Sequence, residues 1–143
     1  MAITSAICNI FKQEILEAEH NFTASSGNTF NLALYDSDAT LNKSTTAYTT
    51  SEELATTGGY TAKGKALTSV TPVLDSDTAV CDFANISWTS ASFTARGCLI
   101  FNDDNSDTSV CAIDFGGDKT VTSGTFTVEF PAAAASTAII QIA

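Results

Sequence analysis

Apolar and polar positions along this chain follow two different periods. Over Thr4–Glu19, with Ile3 just ahead, Ile7, Ile10, Phe11, Ile15 and Ala18 recur at three- and four-residue spacing, while Lys12, Gln13 and Glu17 fall off that stripe. This spacing predicts one amphipathic helix. Thr4 or Ser5 is placed to cap its start, since either hydroxyl can accept from an unpaired amide one turn in, and His20 and Asn21 stand where it should stop. From Thr29 onward the period is two. Phe30, Leu32 and Leu34 alternate with Asn31 and Ala33 over Thr29–Tyr35, which predicts a half-buried strand. Further strands are predicted at Ala66–Leu74, with Leu67, Val70, Val73 and Leu74 in the core, and at Thr78–Phe83. Another is expected at Thr125–Phe130, ended by Pro131, which cannot donate to a ladder. The β-branched ending Ile139–Ile142 predicts a final strand.

The most regular stretch is Phe93–Lys119, where the apolar runs Ala95–Phe101 and Val110–Phe115 flank a loop of Asn, Asp and Ser. Two such runs around a short polar turn read as a β-hairpin. Its arms are apolar at successive positions, which predicts strands covered on both faces. Ile86 and Trp88 are expected to anchor a short connection ahead of it, and Gly116-Gly117-Asp118-Lys119 a turn after it. The Thr-, Ser- and Gly-rich stretch from Asp36 to Lys65 has no period; a structureless loop of that length is unusual in a compact domain, so short irregular strands or a helical turn are expected there. This stretch and the terminal helix are the expected contact surfaces. Short strands with Gly, Asp and Ser turns plus one N-terminal amphipathic helix predict a mainly β protein. The expected form is an antiparallel β-sandwich or jelly-roll-like domain, single over 1–143, with helix at about 4–19 and sandwich over 29–143.

Composition narrows the function classes. Hydrophobic residues make up 44% of 143 and charged residues 15%, which argues against disorder despite a net charge of −10. Sixteen acidic against six scattered basic residues repel a phosphate backbone, so nucleic acid is not an expected partner. The first residues lack a basic start and an unbroken apolar run, so no secretory signal is expected, and no run is long enough for a spanning helix; a soluble product made in the cytosol is the expectation, with no membrane partner. Cys8, Cys81, Cys98 and Cys111 are isolated, without the paired spacing of zinc or redox motifs. They are expected as buried thiols, with a Cys98–Cys111 disulfide sterically conceivable if the hairpin makes them neighbours.

Few constellations suggest chemistry. His20 is the only histidine and would have to serve as the base of any Ser–His–Asp or Cys–His hydrolase, but no nucleophile motif accompanies it; it reads as a helix-end residue favoured by the dipole. Asp103, Asn105, Asp107 and Asp114 fall at the first, third, fifth and twelfth positions of an EF-hand-like spacing. Thr108 stands where that loop needs Gly, the twelfth residue is Asp instead of Glu, and a strand follows, so a solvated hairpin tip is the expectation. Asp36, Asp38, Asp75 and Asp77 read as turn acids that could meet only if the fold gathers their loops. Arg96, the only arginine, is expected either in a buried pair with Asp82 or Asp114 or in an intersubunit contact. No catalytic, cofactor or metal residue is assigned.

The pieces AITSAICNIFKQEIL, TFNLALYDSDATL, TTAYTTSEELATTGGYTAKGKAL, FTARGCLIFND and AIDFGGDKTVTSGTFTVEFP, with the Ile-rich end, resemble in order a family of small structural proteins of tailed bacteriophages. The resemblance implies a non-enzymatic virion component assembled in the host cytoplasm. Among such roles the expected one is a capsid decoration (cement) protein, a homo-oligomer with a trimer as first guess, bound to the major capsid protein or other virion proteins. A tail, neck or head-fibre component is the alternative. A carbohydrate-binding module is a further one, and would need Tyr35, Tyr48, Tyr60 or Trp88 exposed.

Overall fold

The longest element of the computed structural model, which describes residues 2–143, is a hairpin of β6 (Ile86–Asn102) and β7 (Thr108–Val128). Its inner half pairs Cys98 with Ile113, Leu99 with Ala112 and Ile100 with Cys111. On the other side of β6, β2 (Phe30–Tyr35) runs antiparallel, with Leu32 opposite Ile100 and Leu34 opposite Cys98. The short strands β1 (Ala6–Ile7) and β3 (Lys65–Ala66) close the edges, giving a five-stranded sheet in the order β1-β7-β6-β2-β3. A second antiparallel sheet of β4 (Ser69–Asp75), β5 (Thr78–Phe83) and β8 (Ile140–Ile142) has the order β4-β5-β8. Strand takes up 48% of the chain and helix 6%, so the protein is mainly β, with two antiparallel sheets and one short N-terminal helix, as the alternating pattern predicts for a β-sandwich.

Both faces of the central strands are covered. Phe30, Leu32, Leu34, Cys98 and Ile100 pack with Phe83 and Ile140 of the small sheet and with Phe11 of the helix. On the opposite face Ala33, Tyr35, Leu99, Phe101 and Ala112 meet Ile3, Ala39 and Leu41. The two-sided cover expected for the hairpin arms is therefore present, and β2, expected to be half-buried, shares it. The second cover comes from the aperiodic stretch 36–65. Leu41 bridges Ile3, Ala47 bridges Thr108 and Glu53 bridges Tyr35, so the stretch crosses the sheet as a strap instead of standing off it. Gly64, in the left-handed region at φ +68°, lets the strap pass against β2; a Cβ there would collide with the carbonyl oxygen of Leu32.

Several expectations are corrected. The helix, α1, runs only from Asn9 to Leu16, with Cys8 at its N-cap and no side-chain cap bond. Ahead of it Ala6 and Ile7 extend to pair with Ala112 and Cys111 along the open edge of β7, a conformation that suits β-branched Ile7. Ser5 Oγ accepts the Asp114 amide (2.8 Å) instead of capping the helix. Ile86 and Trp88 belong to β6 and form no separate connection. Gly116-Gly117-Asp118-Lys119 is not a turn. Ala95 pairs with Lys119 and Gly97 with Asp114, so the glycines lie in a bulge within β7, with Gly116 at φ +76°. The predicted strand Ala66–Leu74 is two strands, β3 and β4, and of its four expected core residues only Leu67 is buried; Val70, Val73 and Leu74 are exposed.

Candidate functional site

His20 lies beyond the end of α1, not on its dipole. It is 7% exposed and packed among the rings of Phe11, Phe22 and Phe30. Its Nε2 is 2.8 Å from Glu14 Oε2 and its Nδ1 is 3.0 Å from Asn102 Nδ2. An amide nitrogen only donates, so Nδ1 accepts and Nε2 carries the proton it gives to Glu14. Burial holds the imidazole below its ordinary pKa against the opposing pull of Glu14, in keeping with that neutral tautomer. Asn105 Nδ2 also donates to Glu14 Oε2 (3.3 Å), and Asn102 Nδ2 to Asn28 Oδ1 (3.2 Å). Both ring nitrogens are thus engaged in tying the helix end to the hairpin tip.

The EF-hand-like spacing does not assemble. Lys63 of the strap bonds Asp103 (2.7 Å) and Asp107 (3.1 Å), while Asp104 Oδ2 accepts the Thr29 amide (2.6 Å). Asp114 faces Arg96, with Nε 3.1 Å from Oδ1. The Gly116 amide and Arg96 together hold that carboxyl below its usual range. Arg96 also reaches Asp118 (3.6 Å), so the only arginine spans the two ends of the glycine bulge. Its side chain is 37% exposed, so the Asp114 pair is at the surface and not the buried one expected. Asp82, the other candidate, is buried without a cation. Its Oδ1 accepts the Phe83 amide (2.8 Å), its Oδ2 has no partner, and burial pushes its carboxyl upward.

Among the turn acids, Asp75 Oδ2 accepts the Ala135 amide (2.7 Å) and Asp77 is an exposed residue of the β4–β5 turn. Asp36 and Asp38 come within 4.8 Å of Glu52, in a turn where the Asp38 amide donates to Asp36 Oδ1 and the Asp36 amide to the Glu52 carbonyl. The four thiols are free and buried, with Cys98 facing Ile113 and Cys111 facing Ile100 across the hairpin. Desolvation pushes Cys8 up to about 11 and Cys81 to about 12, and raises Cys98 and Cys111 as well, so none is a thiolate near neutrality.

The aromatic candidates do not form an exposed platform. Tyr35, Tyr60 and Trp88 are buried, and Tyr48 is partly so. Trp88, Tyr60, Phe93 and Phe126 pack on one another under the outer hairpin. Glu53, which the sequence did not single out, is the centre of the strap. It accepts the hydroxyls of Tyr48 (2.6 Å) and Tyr60 (2.7 Å) and the Lys63 amide (2.6 Å). Burial together with this bond pushes the Tyr48 phenol up to about 12.

The two larger open grooves are lined mainly by apolar side chains. A groove of about 450 Å³ lies between α1 and the small sheet, lined among others by Phe11, Ile15, Ala18, Pro72, Ala79 and Ile142. The large hydrophobics exposed on the described surface are Leu16, Val70, Val73, Leu74 and Ile142, on α1, β4 and β8, and of them Ile142 lines this groove. A sequence signal for it existed in Pro72, since proline inside a strand marks an edge. A second groove of about 590 Å³ follows the outer half of β7 past Phe115, Val121, Phe126 and Phe130. No helix is long and apolar enough to cross a membrane among the described residues. Comparison with protein-family models, characterised proteins and solved structures yields no match.

Proposed function

We propose that this chain is a non-enzymatic structural component of a tailed-phage particle, a capsid decoration protein that binds the outer shell and stabilises it. The observation that carries the reading is the use made of the polar side chains. Glu14 and His20 tie the helix end to the hairpin tip, Asp103 and Asp107 tie that tip to the strap, Glu53 braces the strap and Asp114 the hairpin, while the two larger open grooves are mainly apolar. Such a division suits a part that docks. The ordered resemblance of its segments to small phage structural proteins supports the same reading, and many weak contacts repeated around a symmetric shell add through multivalency. As the decoration role implies, the chain would act as a homo-oligomer, with a trimer as the first expectation, in contact with the major capsid protein.

Quantitative mass spectrometry of purified particles tests this. Copy numbers on the scale of the shell protein are expected. A handful of copies per particle would move the chain to the tail, neck or head fibre, and absence from particles would remove the virion reading.

A further inference from the structure

We propose that the groove between α1 and the β4-β5-β8 sheet is a docking site for a protein segment whose aliphatic side chains are flanked by lysine or arginine. Three observations converge on it. Leu74 pairs with Ala79, and Ala79 with Ile142, so the three form one cross-strand row. Residues opposite one another in an antiparallel ladder share a face, and Ala79 and Ile142 line the groove. The two ends of the row are open to solvent, with Leu74 74% and Ile142 58% exposed. Its volume falls within the roughly 300–1,000 Å³ of clefts that hold ligands.

Charge selects the occupant. Exposed Glu17 and Glu19 flank the groove residue Ala18, and Asp75 and Asp77 follow Leu74 at the β4–β5 turn. No lysine or arginine occurs from Ala66 to Ala95 or from Phe130 to the end. On the helix side the one cation, Lys12, follows the groove residue Phe11 and bonds Asn9 (3.3 Å). Four acids against one lysine close in sequence to the lining residues favour a basic-flanked apolar segment on this floor. That balance repels a fatty acid carboxylate and disfavours a second copy of this chain, which carries a net charge of −10; a two-fold contact would also bring the same four acids face to face. The identity of the partner as a shell protein rests on the function proposed above; the chemistry of the groove does not.

The test is fluorescence anisotropy with the full chain in low salt. The probe is a labelled synthetic peptide of alternating valine and threonine with two lysines at each end; a matched peptide carries glutamates in place of the lysines. Saturable binding of the lysine peptide is expected, weakened at least about tenfold by the double variant Leu74→Ser, Ile142→Ser and by Glu17→Gln, Glu19→Gln. Both double variants change exposed side chains, and circular dichroism checks that they fold. No saturable binding, equal binding of the glutamate peptide, or binding unaffected by either variant overturns the proposal. So does displacement of the lysine peptide by a fatty acid. A wild-type dimer that sediments as a monomer in the Leu74→Ser, Ile142→Ser variant would overturn it in favour of self-association. Peptide binding together with absence from particles would leave the groove standing and remove only the shell protein as its partner.

Discussion

Strand β2, Phe-Asn-Leu-Ala-Leu-Tyr, and strand β4, Ser-Val-Thr-Pro-Val-Leu-Asp, both read as strands with core residues, yet β2 is buried at every position but Asn31 while β4 is exposed or half-exposed throughout. The difference comes from what lies on each side. β2 has β6 and β3 as neighbours and the strap across its outer face, whereas β4 is the edge of a three-stranded sheet with only β5 beside it. An apolar residue is buried by its partners as much as by its own hydropathy. Where the chain supplies no partner, as along β4, the apolar side chain is left available to another molecule.

Four measurements can break or sharpen this contrast. The largest effect belongs to the doubly covered sheet: Leu32→Ala, fully buried, is expected to cost about 2–5 kcal/mol in denaturant unfolding. A cost below about 1 kcal/mol would mean that α1 and the small sheet do not hold its face shut. The strap itself is probed next. Glu53→Ala leaves two tyrosine hydroxyls and a backbone amide without their acceptor, and a loss of about 1–3 kcal/mol is expected.

The third measurement uses pH. Burial holds His20 below its ordinary value, so the folded protein takes up a proton less readily than the unfolded chain. Stability is then flat above about pH 6.5 and falls as pH drops below it, with a slope of at most about 1.4 kcal/mol per pH unit for one proton. Thermal melts between pH 8 and 5 should show that fall, and His20→Gln should flatten it; a variant with the wild-type slope would remove His20 as its source. The smallest effect is expected at the edge, where Leu74→Ser should stay within about 0.5 kcal/mol of wild type. A loss of 2 kcal/mol or more, about that of a buried leucine, would show that β4 is covered after all.

The fold class and most strand positions were legible because alternation survives wherever strands pair, as in Thr78–Phe83 and Phe30–Tyr35. What could not be read was long-range. Gly116-Gly117 carries turn chemistry, and only pairing with β6 on both sides of it turns it into a bulge. Ile3–Ile7 continues a helical spacing, but the edge of β7 wins the backbone of Ala6 and Ile7. The single arginine found one of its two expected partners, Asp114, since that residue shares its hairpin, while Asp82 sits in the other sheet. The candidate groove is hidden in the sequence because Val70, Val73 and Leu74 have the hydropathy of core residues, and only Pro72 marks an edge. His20 stands out as the only histidine, but its partners, Glu14 and Asn102, come from a helix and a distant strand.

The pairing of Ala6 with Ala112 has a consequence for how the chain acquires its shape. During synthesis β1 emerges well before β7 and has no ladder to join until β7 has been made. The early residues must therefore wait, with Ile3 and Ile7 uncovered, while most of the chain is produced. Closing contacts of such sequence separation is slow, on the order of milliseconds to seconds for β-rich domains. Locking of the amino terminus should be a late event in refolding, and deletion of residues 2–7 should speed unfolding more than it slows folding.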